Sequence, residues 1–453
     1  MPIYQIIPQD VLFFRDGRPM EAGAGSGGHG ATWPAPSIIF DAIHAALYRA
    51  YPERQLWEHP HRFGRSSDRD FQREENQRFG SLTTAGPFPC CENNGKSHWL
   101  FPSPTDILPG DTAAATPLAP MRHPGGTNNL PKPLRYPLGS QSQPGKQDPK
   151  PWWSKSAIEA YLNQCAPDPS HLFPNEALFA GEWTTGIGID PDTGTQDGER
   201  IYSAQYLRLK PNVSMGIAGA MPLKADNYSE GLDRLIPESG AMLVLGGQQR
   251  ACQVELLQHR PLADLLPLSL PVETERIKWL LLSPAIYPRI QADKRGNRDI
   301  QSHPGGWLPN WVCPESGRVL LKKGNTRRGP GEAREDWRRR VRNLDPFDCH
   351  LVAARIPKPL VLTGWSERLH LLKDGPATEP GPRPTLLAVP AGAVYYFEGR
   401  DAPALADALS WHGSRADNPS RDRIINRRSA LMGEKGFGLG VCGTWQFFEG
   451  SGA

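Results

Sequence analysis

The chain opens with a short apolar strand, a glycine-rich loop and a helix, and that order limits what its N-terminal segment can build. Residues 3–7 (IYQII) are apolar and β-branched enough for a strand. Residues 22–31 place Gly23, Gly25, Gly27, Gly28 and Gly30 around His29. Pro34 and Pro36 then lead to Ser37, a residue type whose side-chain oxygen caps helix N-termini. Ile38, Ile39, Ala42, Ile43, Ala46 and Leu47 recur at helical spacing, which predicts an amphipathic helix over 37–50 with one buried stripe.

Gly23, Gly25 and Gly28 match a GxGxxG pattern, and so do Gly438, Gly440 and Gly443. A dinucleotide site needs that turn tight between strand and helix, with an acidic ribose ligand about 20 residues on. Prolines separate the first match from its helix, and Asp41, near the right offset, falls on the helix itself. Only ten residues follow Gly443, which leaves no room for a βαβ unit. No nucleotide cofactor is expected. Clustered glycines also let a backbone approach a ligand closely and turn successive amides toward a phosphate.

Strand-like runs follow at 82–90 and 99–101 across the turn Asn93-Asn94-Gly95. Others stand at 201–210, 241–247, 278–282, 360–363, 385–389 and 393–397, with a short helix at 402–411. Glycine and proline together make about a fifth of the chain, and 109–150 reads as loop. Strands with few helices in both halves predict an α+β chain of two domains, divided near 235.

Net charge is only +3, so basicity is local. Residues 318–342 carry ten basic side chains against three acidic ones, a net +7 that favours a polyanion or makes a solvated loop. Seven scattered cysteines without a CxxC fit a reducing compartment. The start MPIYQIIPQD lacks a secretory pattern, and no run approaches 18 apolar residues, so a cytoplasmic location is expected. His59 and His61 have no cysteine or carboxylate cluster beside them, so no metal is expected. Arg15 and Arg18 stand beside Phe13 and Phe14 just before the glycine loop: arginine forks phosphate, and the rings are either core or stacking surfaces.

Several segments in order resemble one family. They are FFRDGRP at 13–19, the glycine loop with Trp33-Pro34-Ala35-Pro36-Ser37, Gly86-Pro87, Phe101-Pro102-Ser103-Pro104-Thr105-Asp106, and TGIGID at 185–190. Leu362-Thr363-Gly364-Trp365, VPAGAVYYF at 389–397 and the terminal GFGLG at 436–440 complete them. The combination resembles the CRISPR-associated RAMP protein called Cmr subunit three, of type III-B effector complexes and the Cas five group.

The resemblance implies two ferredoxin-like (RRM-like) domains with large loop insertions. They would span 1–235, with insertions at about 52–80 and 109–180, and 236–453, with a basic insertion at about 290–345. It implies a non-catalytic subunit that binds the 5′ handle of the CRISPR RNA. Its partners would be the large polymerase/cyclase subunit and the backbone RAMP subunits, with target RNA met indirectly. Candidate RNA contacts are Arg15, Arg18, Gly25, Gly27, Gly28, His29, Arg208, Lys210, Lys294, Arg295, Arg298, Trp365 and Gly438. The enzyme-class alternative is a metal-independent RAMP endoribonuclease that cuts precursor CRISPR RNA with His29 as general base on a ribose 2′-OH. On the non-catalytic reading, a repeat RNA incubated with the protein in EDTA stays intact on a denaturing gel. Cleavage that disappears in His29→Ala would establish the nuclease instead.

Overall fold

In a computed structural model of the chain, the described residues are 1–15, 28, 30–50, 82–93, 95–108, 117–122, 129–140, 145, 146, 148–190, 192–220, 232, 236, 239–257, 260–292, 301–326, 328, 329, 331–366, 381, 382 and 384–448. The expected insertion at 52–80 and His59 and His61 lie outside them.

The elements of the first part are β1 (Ile3–Pro8), α1 (Pro36–Ala50), β2 (Thr83–Asn93), β3 (Lys96–Pro102), β4 (Trp152–Ser154), α2 (Lys155–Leu162) and β5 (Leu172–Phe173). They continue with β6 (Phe179–Ile189), β7 (Gln196–Leu209), β8 (Val213–Ala220), β9 (Ala241–Leu245) and β10 (Arg250–Leu257). The second part holds β11 (Arg276–Leu281), α3 (Arg334–Asn343), β12 (His350–Arg355), β13 (Val394–Glu398), α4 (Ala402–Leu409) and β14 (Gly440–Thr444).

The first sheet runs β9-β10-β1-β8-β2-β3-β4-β5, and the second β12-β13-β11-β14, with antiparallel neighbours throughout. β6 and β7 pair as a separate two-stranded ribbon. This is a mixed α/β protein of mostly antiparallel sheets with few helices. The two sheets share a pattern. In β10-β1-β8-β2 and in β14-β11-β13-β12, the first strand in sequence lies between the fourth and the third, and the second lies outside the third. A helix joins the first strand to the second in both cases, α1 and α3 respectively. β9 and β10 pair in the first sheet although they follow residue 235, so sheet membership changes between Leu257 and Arg276.

Period-two alternation decides what each strand face meets. Tyr4 and Ile6 of β1, with Met215 and Ile217 of β8, pack under Ile39, Phe40, Ile43 and Leu47 of α1. Ile277, Trp279 and Leu281 of β11 pack under Leu405 and Leu409 of α4. The inner faces of both sheets meet in a third cluster: Ala85, Phe88 and Ala218 from the first, Leu280, Val394 and Val441 from the second, and Ala157, Ile158 and Leu162 of α2 between them. Each such large side chain taken fully from water contributes about 1.5–3 kcal/mol. The last part of the expected 109–180 insertion is therefore packed core. Ser154 caps α2, its hydroxyl accepting from the Ala157 N–H at 3.3 Å.

A buried polar joint crosses this shared layer. Asp106, after β3, accepts hydrogen bonds on Oδ2 from Tyr161 of α2 (2.7 Å) and Tyr396 of β13 (2.5 Å). Lys278 of β11 donates to the Tyr161 carbonyl at 2.9 Å and lies 3.5 Å from the centre of its ring. Burial pushes the Asp106 carboxyl up and the Lys278 ammonium down to about 8, against the pull of Asp106. The unfolded chain keeps that lysine proton to about 10.5 and the folded chain only to about 8. In that window the unfolded state binds more protons, so stability rises with pH. Buried cysteines such as Cys252 and Cys349, whose thiols burial pushes up to about 12, act in the opposite sense over the same range. The lysine is therefore read as a difference: the unfolding midpoint of the unchanged chain relative to Lys278→Met should rise from pH 8 toward 10 in thermal scans at several pH values.

Candidate nucleic-acid interface

The two ends of the glycine loop are fastened to one place, the base of the β6–β7 ribbon. Leu12 exchanges both backbone hydrogen bonds with Leu207 of β7 at 2.8 Å. Gly28 donates to the Ser203 carbonyl at 2.5 Å and accepts from the Gln205 N–H at 2.8 Å. The two arms also pair with each other, through Ala31 N–H to the Phe14 carbonyl (2.6 Å) and a bridge between Arg15 and Gly30. Arg15, the last of the first arm, is exposed.

Packing holds the arms down. Phe14 is core, beneath α1 with Leu12. Phe13 packs on Tyr206 with ring centres 5.5 Å apart, and Arg250 covers the same ring at 5.3 Å. The aromatic pair beside Arg15 therefore anchors the loop and leaves no ring free for a base. Gly30 is a matter of space: a Cβ there would sit 2.5 Å from the Gln205 carbonyl oxygen.

Among the described residues, the expected contacts fall in more than one place. Gly28 and Arg15 belong to the arms. Arg208 lies close by on β7, but its guanidinium is shared between Glu182, bound through Nε and Nη2, and Asp10, bound through Nη2 at 3.0 Å. A backbone N–H at Val11 and then Arg208 hold Asp10 below the usual carboxylate range, and Arg208 does the same to Glu182. Arg208 thus braces β6, β7 and the turn after β1. Lys210 is exposed at the end of β7. Gly438 is buried elsewhere, at a φ of +78°, where a Cβ would collide with the backbone of Arg428 and Ser429. Arg18, Gly25, Gly27, His29, Lys294, Arg295, Arg298 and the side chain of Trp365 lie outside the described residues.

The segment around Gly438 joins the two parts. Gly436, at φ +101°, lies against the backbone of β2, where a Cβ would stand 3.2 Å from the Thr84 and Gly86 carbonyls. Arg427 donates to the Thr84 carbonyl (2.6 Å) and the Gly433 carbonyl (2.9 Å), and burial of its guanidinium lowers it to about 10. Lys435 pairs with Asp41 at 2.6 Å, so the one acid near a ribose-binding offset is engaged by lysine. Among the described residues no group of three or more His, Cys, Asp or Glu could hold a metal, and no helix is long and apolar enough to cross a membrane.

One surface escaped the sequence reading. The ribbon exposes Trp183 (53%), Ile187 (49%) and Ile189 (63%) at alternate positions of β6. The alternation in WTTGIGI was its signal.

The geometry yields a stability prediction. Gly30→Ala must push the arms off β7, and a forced contact of this kind costs about 1–3 kcal/mol. A lowered midpoint in a thermal scan is the expected outcome.

A family model described as "CRISPR-associated protein (Cas_Cmr3)" matches residues 4–445. Among solved structures, a chain of "Cryo-EM structure of the Type III-B Cmr-beta bound to cognate target RNA and AMPPnP, state 1" is 14% identical, with 87% of this chain and 86% of that chain covered and a TM-score of 0.38. A chain of "Crystal structure of Csm3-Csm4 subcomplex in the type III-A CRISPR-Cas interference complex" is 11% identical, with 88% and 95% covered and a TM-score of 0.37. No curated protein matches the sequence.

Proposed function

The chain belongs to the Cmr3 family of CRISPR-associated proteins, and from that premise we propose that it grips the 5′ handle of the CRISPR RNA as a non-catalytic subunit of a type III-B effector complex. The large polymerase/cyclase subunit and the first backbone subunit would be its protein neighbours, with target RNA reached through them. The common strand order of the two sheets supports reading each as a ferredoxin-like unit, a fold on which nucleic-acid surfaces are often built.

One observation carries the RNA reading. Both arms of the glycine loop are pinned to the ribbon base, with Arg15 exposed at the exit. A loop anchored at both ends can present arginine and backbone amides to a phosphate with less ordering cost than a free one. Arg15 and Arg18, with the amides of Gly25, Gly27 and Gly28 and the ring of His29, would line that contact. Lys210, Lys294, Arg295 and Arg298 would extend it, and Trp365 is a candidate stacking surface. Arg208 would support the site through Asp10 and Glu182.

Each phosphate contact to a single strand contributes about 0.7 to the log–log salt slope of binding. Arg15→Ala with Arg18→Ala should therefore weaken handle binding and flatten its slope by roughly 1.4. A handle titration over a range of salt, with an unchanged slope in the double variant, would remove both arginines from the interface.

A further inference from the structure

The crossover helix of the second sheet has lost the job its counterpart performs in the first. α1 covers its sheet with Ile39, Phe40, Ile43 and Leu47, all buried. α3 occupies the same place in the strand order and has no buried residue. Its sheet is covered instead by α4 and by Leu308, Val312 and Val319. A helix polar nearly all round gains little from the core and needs another means of support.

That support comes from side chains of its own insertion. Arg340 pairs with Glu332 through Nε (2.8 Å) and Nη2 (3.0 Å), and also donates to the Asn325 carbonyl. Trp337 donates to the Thr326 carbonyl at 2.9 Å. Lys322 donates to the Leu344 carbonyl at 2.7 Å, and Lys323 pairs with Asp401 at the start of α4. Of the basic block, these cations hold the insertion together. Arg334, Arg338 and Arg342 do not. They are exposed, no ion pair is recorded for them among the described residues, and they recur every fourth residue along one stripe. At about 1.5 Å rise per residue they stand about 6 Å apart. Arg339 extends the stripe, tied to Asp336 at 3.1 Å.

We infer that the Arg334–Arg338–Arg342 face of α3 is a second RNA-binding surface, separate from the glycine loop, that takes the phosphate backbone of a strand without reading its sequence. This rests on the reading of the chain as an RNA-binding subunit. The chemistry favours phosphate over an acidic protein. The stripe is all arginine, whose fork suits phosphate oxygens. The exposed positions 334, 335, 336, 338, 339, 342 and 343 include no apolar side chain, whereas protein interfaces bury an apolar, aromatic-rich centre. A surface that is polar throughout, with four arginines against Glu335 and Asp336, has the character of a nucleic-acid contact.

The test uses the full chain with Arg334→Ala, Arg338→Ala and Arg342→Ala combined, a short labelled poly(U) strand and a handle RNA, each titrated over salt. The expected result is weaker poly(U) binding, with a log–log slope flatter by about 2, and an unchanged thermal midpoint. The three Arg→Lys changes should restore most of the slope, because charge is kept. Poly(U) binding of unchanged strength and slope in the alanine variant overturns the proposal. If Arg15→Ala with Arg18→Ala still weakens handle binding in that case, the handle reading stands and only the second surface falls. If neither set of changes affects any RNA, both readings fall. Loss of capture by the other complex subunits with RNA binding intact assigns the face to a protein and also overturns the proposal.

Discussion

The joint around Asp106 sets the frame for everything else. It draws on four places far apart in the chain: the segment after β3, α2, β11 and β13. A buried carboxylate and a buried ammonium are tolerated only when hydrogen bonds replace the lost water. Two tyrosine hydroxyls supply them to Asp106, and a backbone carbonyl accepts from Lys278. An apolar layer alone would let two sheets slide or rotate on one another. Directional bonds between fixed atoms do not, and so the polar joint selects one relation of the sheets. Gly443 tightens it, since a Cβ there would sit 2.5 Å from the Leu162 carbonyl of α2.

With the inner faces joined, each sheet must cover its outer face separately. α1 does so for the first, and its sequence announces it through apolar residues at helical spacing. The expected helix at 37–50 and the observed one at 36–50 nearly coincide for that reason. β11 and β13 are nearly as plain, because a strand buried on both faces is an almost unbroken apolar run, interrupted in β11 by the buried Lys278. β10 was not read as a strand. Arg250, Gln253 and Glu255 interrupt it, and its apolar members become visible only when paired with β1. α2 was hidden differently. It is two turns long and follows a three-residue strand at the end of a proline-rich stretch, so its apolar stripe of Ala157, Ile158, Tyr161 and Leu162 is too short to stand out.

The glycine segments suggest, from sequence, a backbone that approaches a phosphate closely; what Gly30, Gly436 and Gly438 lie against in the structure is the chain's own backbone, in different places. Gly30 makes room for a carbonyl of β7 at the loop arms, while Gly436 and Gly438 make room for β2 and the 428–429 backbone at the joint. Sequence spacing contains neither partner, because Gln205 and Thr84 are brought there only by tertiary structure. The same blindness affected Arg208. As a basic residue near a strand end it resembles a phosphate ligand, and its two carboxylates come from Asp10 and Glu182 on other segments.

Pairing, more than the number of cations, therefore decides which arginines are left exposed without a carboxylate. A net charge of +3 hides this, since it averages arginines of opposite fate. Arg427 and Arg428 are spent inside on backbone carbonyls, and Arg208 and Arg340 on carboxylates. An arginine already forked by a carboxylate gives up those bonds before it can take a phosphate, which cancels most of the gain. Arg15, exposed at the loop exit, and the stripe on α3 lie outside those commitments. The acidic residues of this chain thus do more than balance charge. By occupying some arginines and sparing others, they leave Arg15 at the loop exit and the arginine stripe of α3 among the exposed cations that no carboxylate holds in the described residues.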